Sequence, residues 1–238
     1  MSDRAIRLHT AAALAAGARL ALDARAAHYL ARVMRAKSGE VVRLFNARDG
    51  EWRAELAVAK REVAATLLER VRAPAEEPGP TLFLAAIKRP RLELVVEKAT
   101  ELGVAAIRPL ATARAVVDRL NHDRLAAIAT EAAEQSERLT VPTIAPLRPL
   151  DAGLAERAGD RPLYAAVARA DATGLAGAVA AHGTGDLLIG PEGGFTAAER
   201  AVLAATPGVV TVSLGPRILR AETAAVAGLA LLALPMSG

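Results

Sequence analysis

The chain has 238 residues, 53% of them hydrophobic and 24% charged, with a formal net charge of +4 and no cysteine. That length suits one large domain or two modest ones, and the apolar content supports a packed core rather than disorder. The lack of cysteine excludes disulfides, thiolate metal sites and a cysteine nucleophile; no charge-free run reaches membrane-spanning length and nothing resembles a signal peptide, so the sequence reads as a soluble cytoplasmic protein without membrane or metal partners. Residues 1–73 carry 14 Lys+Arg against 8 Asp+Glu, whereas the remainder carries 16 against 18. A basic module beside a near-neutral one suggests a polyanion-binding part beside a chemical part. An arginine-rich solvated surface gives the same balance.

Residues 5–9 form a candidate strand. From Asp23 to Arg35, Ala27, Leu30, Ala31 and Met34 recur at helical spacing, with Asp23 as N-cap. Strand-like runs follow at 41–46, 51–58 and 64–71, with Arg48-Asp49-Gly50 as the turn between the first two. One helix among short antiparallel strands implies a small β-barrel. Its arginines Arg25, Arg32, Arg35, Arg43, Arg48 and Arg53 are candidate phosphate contacts, and each alone reads equally well as a surface residue. Residues 74–80, rich in proline, read as a linker between a domain of residues 1–73 and a second of residues 81–238.

The second domain alternates. Strands are predicted at 81–87, 104–110, 162–167, 187–189 and 209–214. Helices are predicted from Pro90 to Leu102 with Gly103 as its cap, and at 124–139, 173–182, 196–205 and 220–234. Thr196 and Glu199 have capping-box spacing. The alternation implies an α/β fold with a mainly parallel sheet covered on both faces. The last helix is apolar on every side from Ala224 to Leu234. It must be buried all round, at a dimer interface or as a core helix.

Familiar catalytic patterns are missing. His9, His28, His122 and His182 show no metal spacing, no Gly-x-Ser-x-Gly elbow exists, and Gly-Pro-Glu-Gly-Gly-Phe is neither a phosphate-binding loop nor a dinucleotide fingerprint. In the stretch 190–194, glycines let a flat ligand approach the backbone, Pro191 stiffens the turn and Glu192 adds one carboxylate. This suits a neutral or cationic ligand such as adenine plus a sulfonium; an ordinary strand-to-helix turn is the alternative.

Ile-Gly-Pro-Glu-Gly-Gly-Phe at 189–195, followed by Leu-Gly-x-Arg-Ile-Leu-Arg-x-Glu-Thr-Ala at 214–224, resembles the RsmE family of bacterial ribosomal RNA methyltransferases, of the SPOUT superfamily. Lys88 with Arg91-x-Glu93, the run Glu97 to Val104, and Glu134-Gln135-Ser136-x-Arg138 resemble the same family. His28-Tyr29-Leu30-x-Arg32-Val33-Met34-Arg35 with Gly39 resembles its PUA-like RNA-binding module. The resemblance implies a deep trefoil knot, a homodimer formed through the C-terminal domain, and methylation of N3 of a uridine (position 1498) in 16S ribosomal RNA, free or in the small ribosomal subunit. S-adenosyl-L-methionine is the implied cofactor. By the same resemblance Ile189, Gly190, Pro191, Glu192, Gly193 and Gly194 line the cofactor pocket; Leu214, Gly215, Ile218 and Leu219 form the knotted loop on its other side. The strand with Leu163 and Ala165 supplies a third wall.

Arg220 and Glu222 flank that loop and are the candidate catalytic pair. Arg220 would stabilise a developing enolate-like oxygen; Glu222 would orient Arg220 or accept a proton. Glu222 reads equally as a carboxylate favoured by a helix N-terminus. Lys88, Arg89, Arg91 and Arg138 are further candidates for contact with RNA, Arg138 alternatively pairing with a neighbouring acid. A non-catalytic RNA-binding or ribosome-assembly protein that keeps the fold is the competing reading. A nucleotide-utilising enzyme of another type is disfavoured by the missing Gly-Lys-Ser/Thr.

Overall fold

A computed structural model describes residues 5–59, 62–115, 117, 119–157, 159–167 and 172–233. The backbone divides into two compact units, residues 1–77 with 133–140, and residues 78–132 with 141–238.

The front unit contains β1 (Arg7–His9), β2 (Arg19–Ala21), α1 (Ala24–His28), a π-helical turn (Tyr29–Val33), β3 (Val41–Asn46), β4 (Gly50–Val58) and β5 (Val63–Arg72). The sheet order is β1-β3-β4-β5-β2. The β3–β4–β5 meander is antiparallel, but β1 pairs with β3 in parallel, Leu8 opposite Leu44. The sheet is therefore mixed rather than wholly antiparallel. Alternate residues of β5, Val63, Ala65 and Leu67, are buried with Leu8, Leu30, Leu44 and Leu56, as a strand with one face on a core requires.

Asp23 caps α1, its carboxylate accepting from Ala26 N at 2.8 Å. The helix does not continue regularly to Arg35. The chain widens into the π-helical turn, with Met34 N donating to Tyr29 O at 3.0 Å, and Arg35 takes a φ of +53°. The widened turn buries Leu30 and leaves Val33 and Met34 60% and 45% exposed.

A carboxylate anchors this unit. Glu51 is 1% exposed. It accepts from Arg7 Nε and Nη2 at 3.1 and 2.9 Å, from Arg43 Nη1 at 3.1 Å and from Arg72 Nη1 at 3.4 Å. Burial alone would raise its pKa, but the bonds and charges of Arg7 and Arg43 hold it below the ordinary carboxylate value. Arg7 also donates to the carbonyls of Ala133, Glu134 and Arg138, which ties residues 133–140 into this unit.

The second unit runs β6 (Thr81–Ala85), α2 (Arg89–Glu101), β7 (Ala106–Ala111), α3 (His122–Gln135), β8 (Thr143–Ile144), β9 (Arg148–Pro149), α4 (Leu150–Ala155), β10 (Leu163–Ala166), α5 (Leu175–His182), β11 (Asp186–Ile189), α6 (Ala197–Ala205), β12 (Val209–Val212) and α7 (Ala221–Ala233); the last residues of α3 group with the front unit. The sheet order is β12-β10-β11-β6-β7-β8, with β9 also on β7, and every pairing is parallel. One core contains Val95, Val96, Tyr164, Val179, Leu187 and Leu229; a second contains Phe83, Leu110, Leu154, Leu163, Leu188 and Phe195. Two cores of this kind suit a parallel sheet covered on both faces.

Three expectations change. The helix expected over 124–139 ends at Gln135, because Glu137 adopts a φ of +60° that no α-helix continues through. The short β8, β9 and α4 have no counterpart in the sequence reading. The last helix is not buried all round within the chain. Ala221, Ala224, Ala225, Gly228, Leu229 and Leu232 are buried, whereas Thr223 and Leu231 are exposed and Val226, Ala227 and Ala230 are half-buried. Leu234, its expected last residue, lies outside the described residues. Among these residues no helix is long and apolar enough to cross a membrane.

Candidate functional site

In open parallel sheets, the strand ends that deliver loops at the carboxyl edge are the usual place for a ligand. Here β10, β11 and β12 deliver three. After β11 the chain turns tightly, Gly194 N donating to Pro191 O at 2.8 Å. A Cβ at Gly190 would lie 2.7 Å from Cε2 of Phe195, so only glycine lets that buried ring fold back over the turn. Thr196 then caps α6 with the full reciprocal capping box to Glu199. Burial would raise the Glu199 carboxyl, but bonds from the Thr196 and Ala113 amides and the Thr196 hydroxyl, with the charge of Arg114, leave it below its ordinary value.

After β12, Ser213 N donates to Thr173 O and Leu175 N to Ser213 O, both at 3.0 Å. Gly215 follows with a φ of +112°, a conformation that disfavours any side chain. Between the two loops lies a cavity of about 520 Å3, walled by Ala166, Val167, Pro191 to Gly194, Leu214 to Leu219 and Ala224. An adjoining chamber of about 300 Å3 shares several of these residues and adds Ile189, Gly190, Phe195, Arg114, Arg200 and Ala221. Both volumes lie at a scale suited to small organic ligands.

The structure brings Ile189 to Gly194, Leu214, Gly215, Ile218 and Leu219 together on these walls. It does not bring Leu163 and Ala165 there. Both are 0% exposed and pack with Phe83, Leu110 and Phe195. Side chains alternate along a strand, and the wall is instead made by Ala166 and Val167 at the end of β10.

Arg91, on the first turn of α2, forms an ion pair with Glu192 of the glycine loop, and its Nε lies 3.5 Å from Glu222 Oε1. One guanidinium thus spans the loop and the first turn of α7. The Glu222 side chain is only 13% exposed, and its Oε2 is buried with no hydrogen-bond partner among the described residues. A buried carboxylate oxygen without a donor is uncommon and asks for one. Arg220 is exposed and stands between two wall residues, Leu219 and Ala221.

The sequence reading missed Arg114 and Arg200. Arg114 Nη1 donates to Gly193 O and Arg200 Nη1 to Phe195 O, both at 2.6 Å. Nothing local marks Arg114, which lies 79 positions from its partner.

Known proteins share this architecture. Residues 75–233 match the RNA methyltransferase domain family, and residues 22–68 match the RNA methyltransferase PUA domain family. The Ribosomal RNA small subunit methyltransferase E of Rickettsia conorii is 35% identical over 206 residues, covering 85% of this chain and 84% of that protein. The protein of the same name from Synechocystis is 37% identical over 212 residues, covering 85% and 69%. This chain belongs to the ribosomal RNA small subunit methyltransferase E family. A crystal structure of the Neisseria gonorrhoeae family member bound to S-adenosyl methionine superposes with a TM-score of 0.85 at 28% identity, covering 95% of this chain and 96% of that one. A putative methyltransferase of Legionella pneumophila, in complex with the bound cofactor SAM, gives 0.84 at 30% identity, covering 96% and 97%.

In this member of the methyltransferase E family, most basic residues anticipated as RNA contacts have acidic partners. Arg25 pairs with Glu134, Arg43 with Glu51, Arg48 with Asp49, Arg53 with Glu69, Arg89 with Glu93 and Arg91 with Glu192. Arg138 is 8% exposed, bonded to Thr140 Oγ1 at 2.8 Å and beside Glu77 at 3.6 Å, so it faces an acid as the alternative reading had it. Arg89 also borders a separate cavity of about 320 Å3 with Leu92, Leu120 and Leu125. For Arg32, Arg35 and Lys88 no ion pair forms among the described residues, and all three are exposed.

Proposed function

We propose that this chain transfers a methyl group from S-adenosyl-L-methionine to N3 of a uridine, position 1498, in 16S ribosomal RNA of the small ribosomal subunit. The observation that carries the reading is the glycine-walled cavity, whose lining residue Glu192 is joined through Arg91 to Glu222. A Cβ at Gly194 or Gly215 would meet no protein atom within 4 Å, so at these places the open walls leave room for a flat ligand against the backbone. That fits a purine and a sulfonium better than a phosphate-rich ligand. The cofactor, when bound, supplies an activated methyl on a positive sulfur that becomes a neutral thioether as nitrogen takes the methyl.

The chain's own residues have two tasks. The loops at 190–194 and 214–219 hold the methyl donor in line with the attacking nitrogen, and positioning of this kind contributes about 7–11 kcal/mol in favourable cases. Glu222, with one oxygen beside Arg91 and the other without a donor, accepts the N3 proton directly or through water. Arg220 stabilises the negative charge that appears on the uracil oxygens as that proton leaves. Arg91 holds Glu192 and Glu222 in place.

RNA is held by the PUA-like unit, folded as a small barrel. Arg32 and Arg35 flank the exposed Val33 and Met34, so two cations for phosphate border an apolar surface for a base. Exposed pairs such as Arg53 with Glu69 open at little cost and remain available to phosphate. The second unit is a SPOUT methyltransferase domain with a trefoil knot. In support, β12 lies at the sheet edge, yet α7 packs against β11 and α2, so residues 213–220 cross back over the end of β10. The open face of α7 around Val226, Ala227, Ala230 and Leu231 is the homodimer contact; Leu231→Glu is expected to yield monomers in light scattering.

The test is transfer of labelled methyl from S-adenosyl-L-methionine to 16S RNA or small subunits, with the modified base mapped. Label on uridine N3 is expected. Cofactor binding without transfer to any ribosomal RNA would instead favour a non-catalytic binding protein.

A further inference from the structure

The smaller chamber beside the glycine-walled cavity has two arginines on its wall, Arg114 and Arg200. Each is fixed by one main-chain carbonyl, Gly193 O for Arg114 and Phe195 O for Arg200. The Arg114 stem packs against Gly193, where a Cβ would lie 3.2 Å from its Cδ. A guanidinium carries five N–H donors in a rigid fork, so a single carbonyl bond orients it and leaves donors over.

The nearby acids are already engaged. Glu199 accepts from the Thr196 and Ala113 amides, both at 2.7 Å, and from the Thr196 hydroxyl. Glu192 pairs with Arg91. Neither Arg114 nor Arg200 forms an ion pair among the described residues. Arg114 acts on Glu199 through charge alone, without an ion pair, and two oriented cations on one small chamber make a site for an oxyanion.

We propose that this chamber is an oxyanion subsite of the methyl-transfer site, with Arg114 and Arg200 as its binding residues. The anion is a carboxylate or a phosphate. Within the proposed function, on which this inference rests, it comes from the amino-acid end of the cofactor or from the RNA backbone.

The test uses the full chain and the variants Arg114→Gln and Arg200→Gln, each first compared with wild type by thermal melting. Calorimetry is run with S-adenosyl-L-methionine and with 5′-methylthioadenosine, which lacks the amino-acid end. RNA binding is followed over a range of salt with a 16S RNA fragment. If the anion is the cofactor carboxylate, each variant loses about tenfold in affinity for S-adenosyl-L-methionine and none for methylthioadenosine. If it is a phosphate, cofactor affinity is unchanged, RNA binding weakens, and the salt slope falls by about 0.7 per arginine for single-stranded RNA. Unchanged binding of both ligands overturns the proposal. So does equal loss for S-adenosyl-L-methionine and methylthioadenosine, since the arginines would then only support the loop. A wild-type chain that binds neither nucleoside removes the functional reading and the subsite with it, an outcome distinct from a failure in the variants alone.

Discussion

Two carboxylates, one in each unit, are withdrawn from water in different ways. Glu51 receives hydrogen bonds from three arginines, and both of its oxygens are satisfied. Glu222 has one guanidinium at 3.5 Å and an oxygen with no donor among the described residues. Burying a charge is costly unless it is paired and hydrogen-bonded. Where the pairing is complete, as at Glu51, the acid serves the fold and ties residues 133–140 to the front sheet through Arg7. Where it is incomplete, as at Glu222, the fold gains little, and under the proposed function the oxygen without a donor is the one that takes the proton.

Breaking the complete cluster should cost the most. Glu51→Gln leaves three guanidiniums around an amide and is expected to destabilise the front unit by about 3–5 kcal/mol. Urea unfolding followed through Trp52, the sole tryptophan, which lies on β4, measures it. The same residue sets a pH dependence. Its folded pKa lies below the ordinary value of 4.5. Its contribution is therefore complete above that value and is lost as pH falls through the folded pKa, and Glu51→Gln should lack this acid-sensitive part. An unchanged urea midpoint in the variant would remove Glu51 as an anchor.

Gly190→Ala tests the rigidity of the cavity. The new Cβ meets the Phe195 ring, and a loss of about 1–3 kcal/mol is expected in thermal melting, with weakened cofactor binding in calorimetry. Charge reversal at Arg32 or Arg35 should weaken RNA binding several-fold and reduce its salt slope, leaving cofactor affinity alone. Parallel loss of both would contradict the division between the units. The smallest effect belongs to Arg53→Gln, which removes an exposed pair with Glu69 and should change stability by no more than about 0.5 kcal/mol.

What was legible in the sequence was local. Asp23, Pro90 with Gly103, and Thr196 with Glu199 mark helix ends within a few residues of themselves, and the structure has those ends. The parallel strands of the second unit carry apolar runs long enough to read. The two-residue β8 and β9 offer no period at all, and the parallel pairing of β1 with β3 joins residues 36 apart, beyond any turn signal. At the site, the glycine loops were readable because glycine and proline act on their own backbone. The Arg91 bridge was not, since it joins α2 to residues 101 and 131 positions away and only the sheet order brings them together. Leu163 and Ala165 illustrate a finer limit. Both faces of β10 are packed, Leu163 and Ala165 in one core and Tyr164 in the other, so its uniformly apolar sequence does not mark which residues reach the cavity.

The most direct measurement is single-turnover methyl transfer by Glu222→Gln, alongside its cofactor affinity and melting temperature. If the unpartnered oxygen serves the reaction, the rate should fall about 10²- to 10⁴-fold while cofactor affinity and melting temperature stay at wild-type values. A rate within about threefold of wild type, or a loss matched by a fall in melting temperature, would show that Glu222 is a structural acid like Glu51.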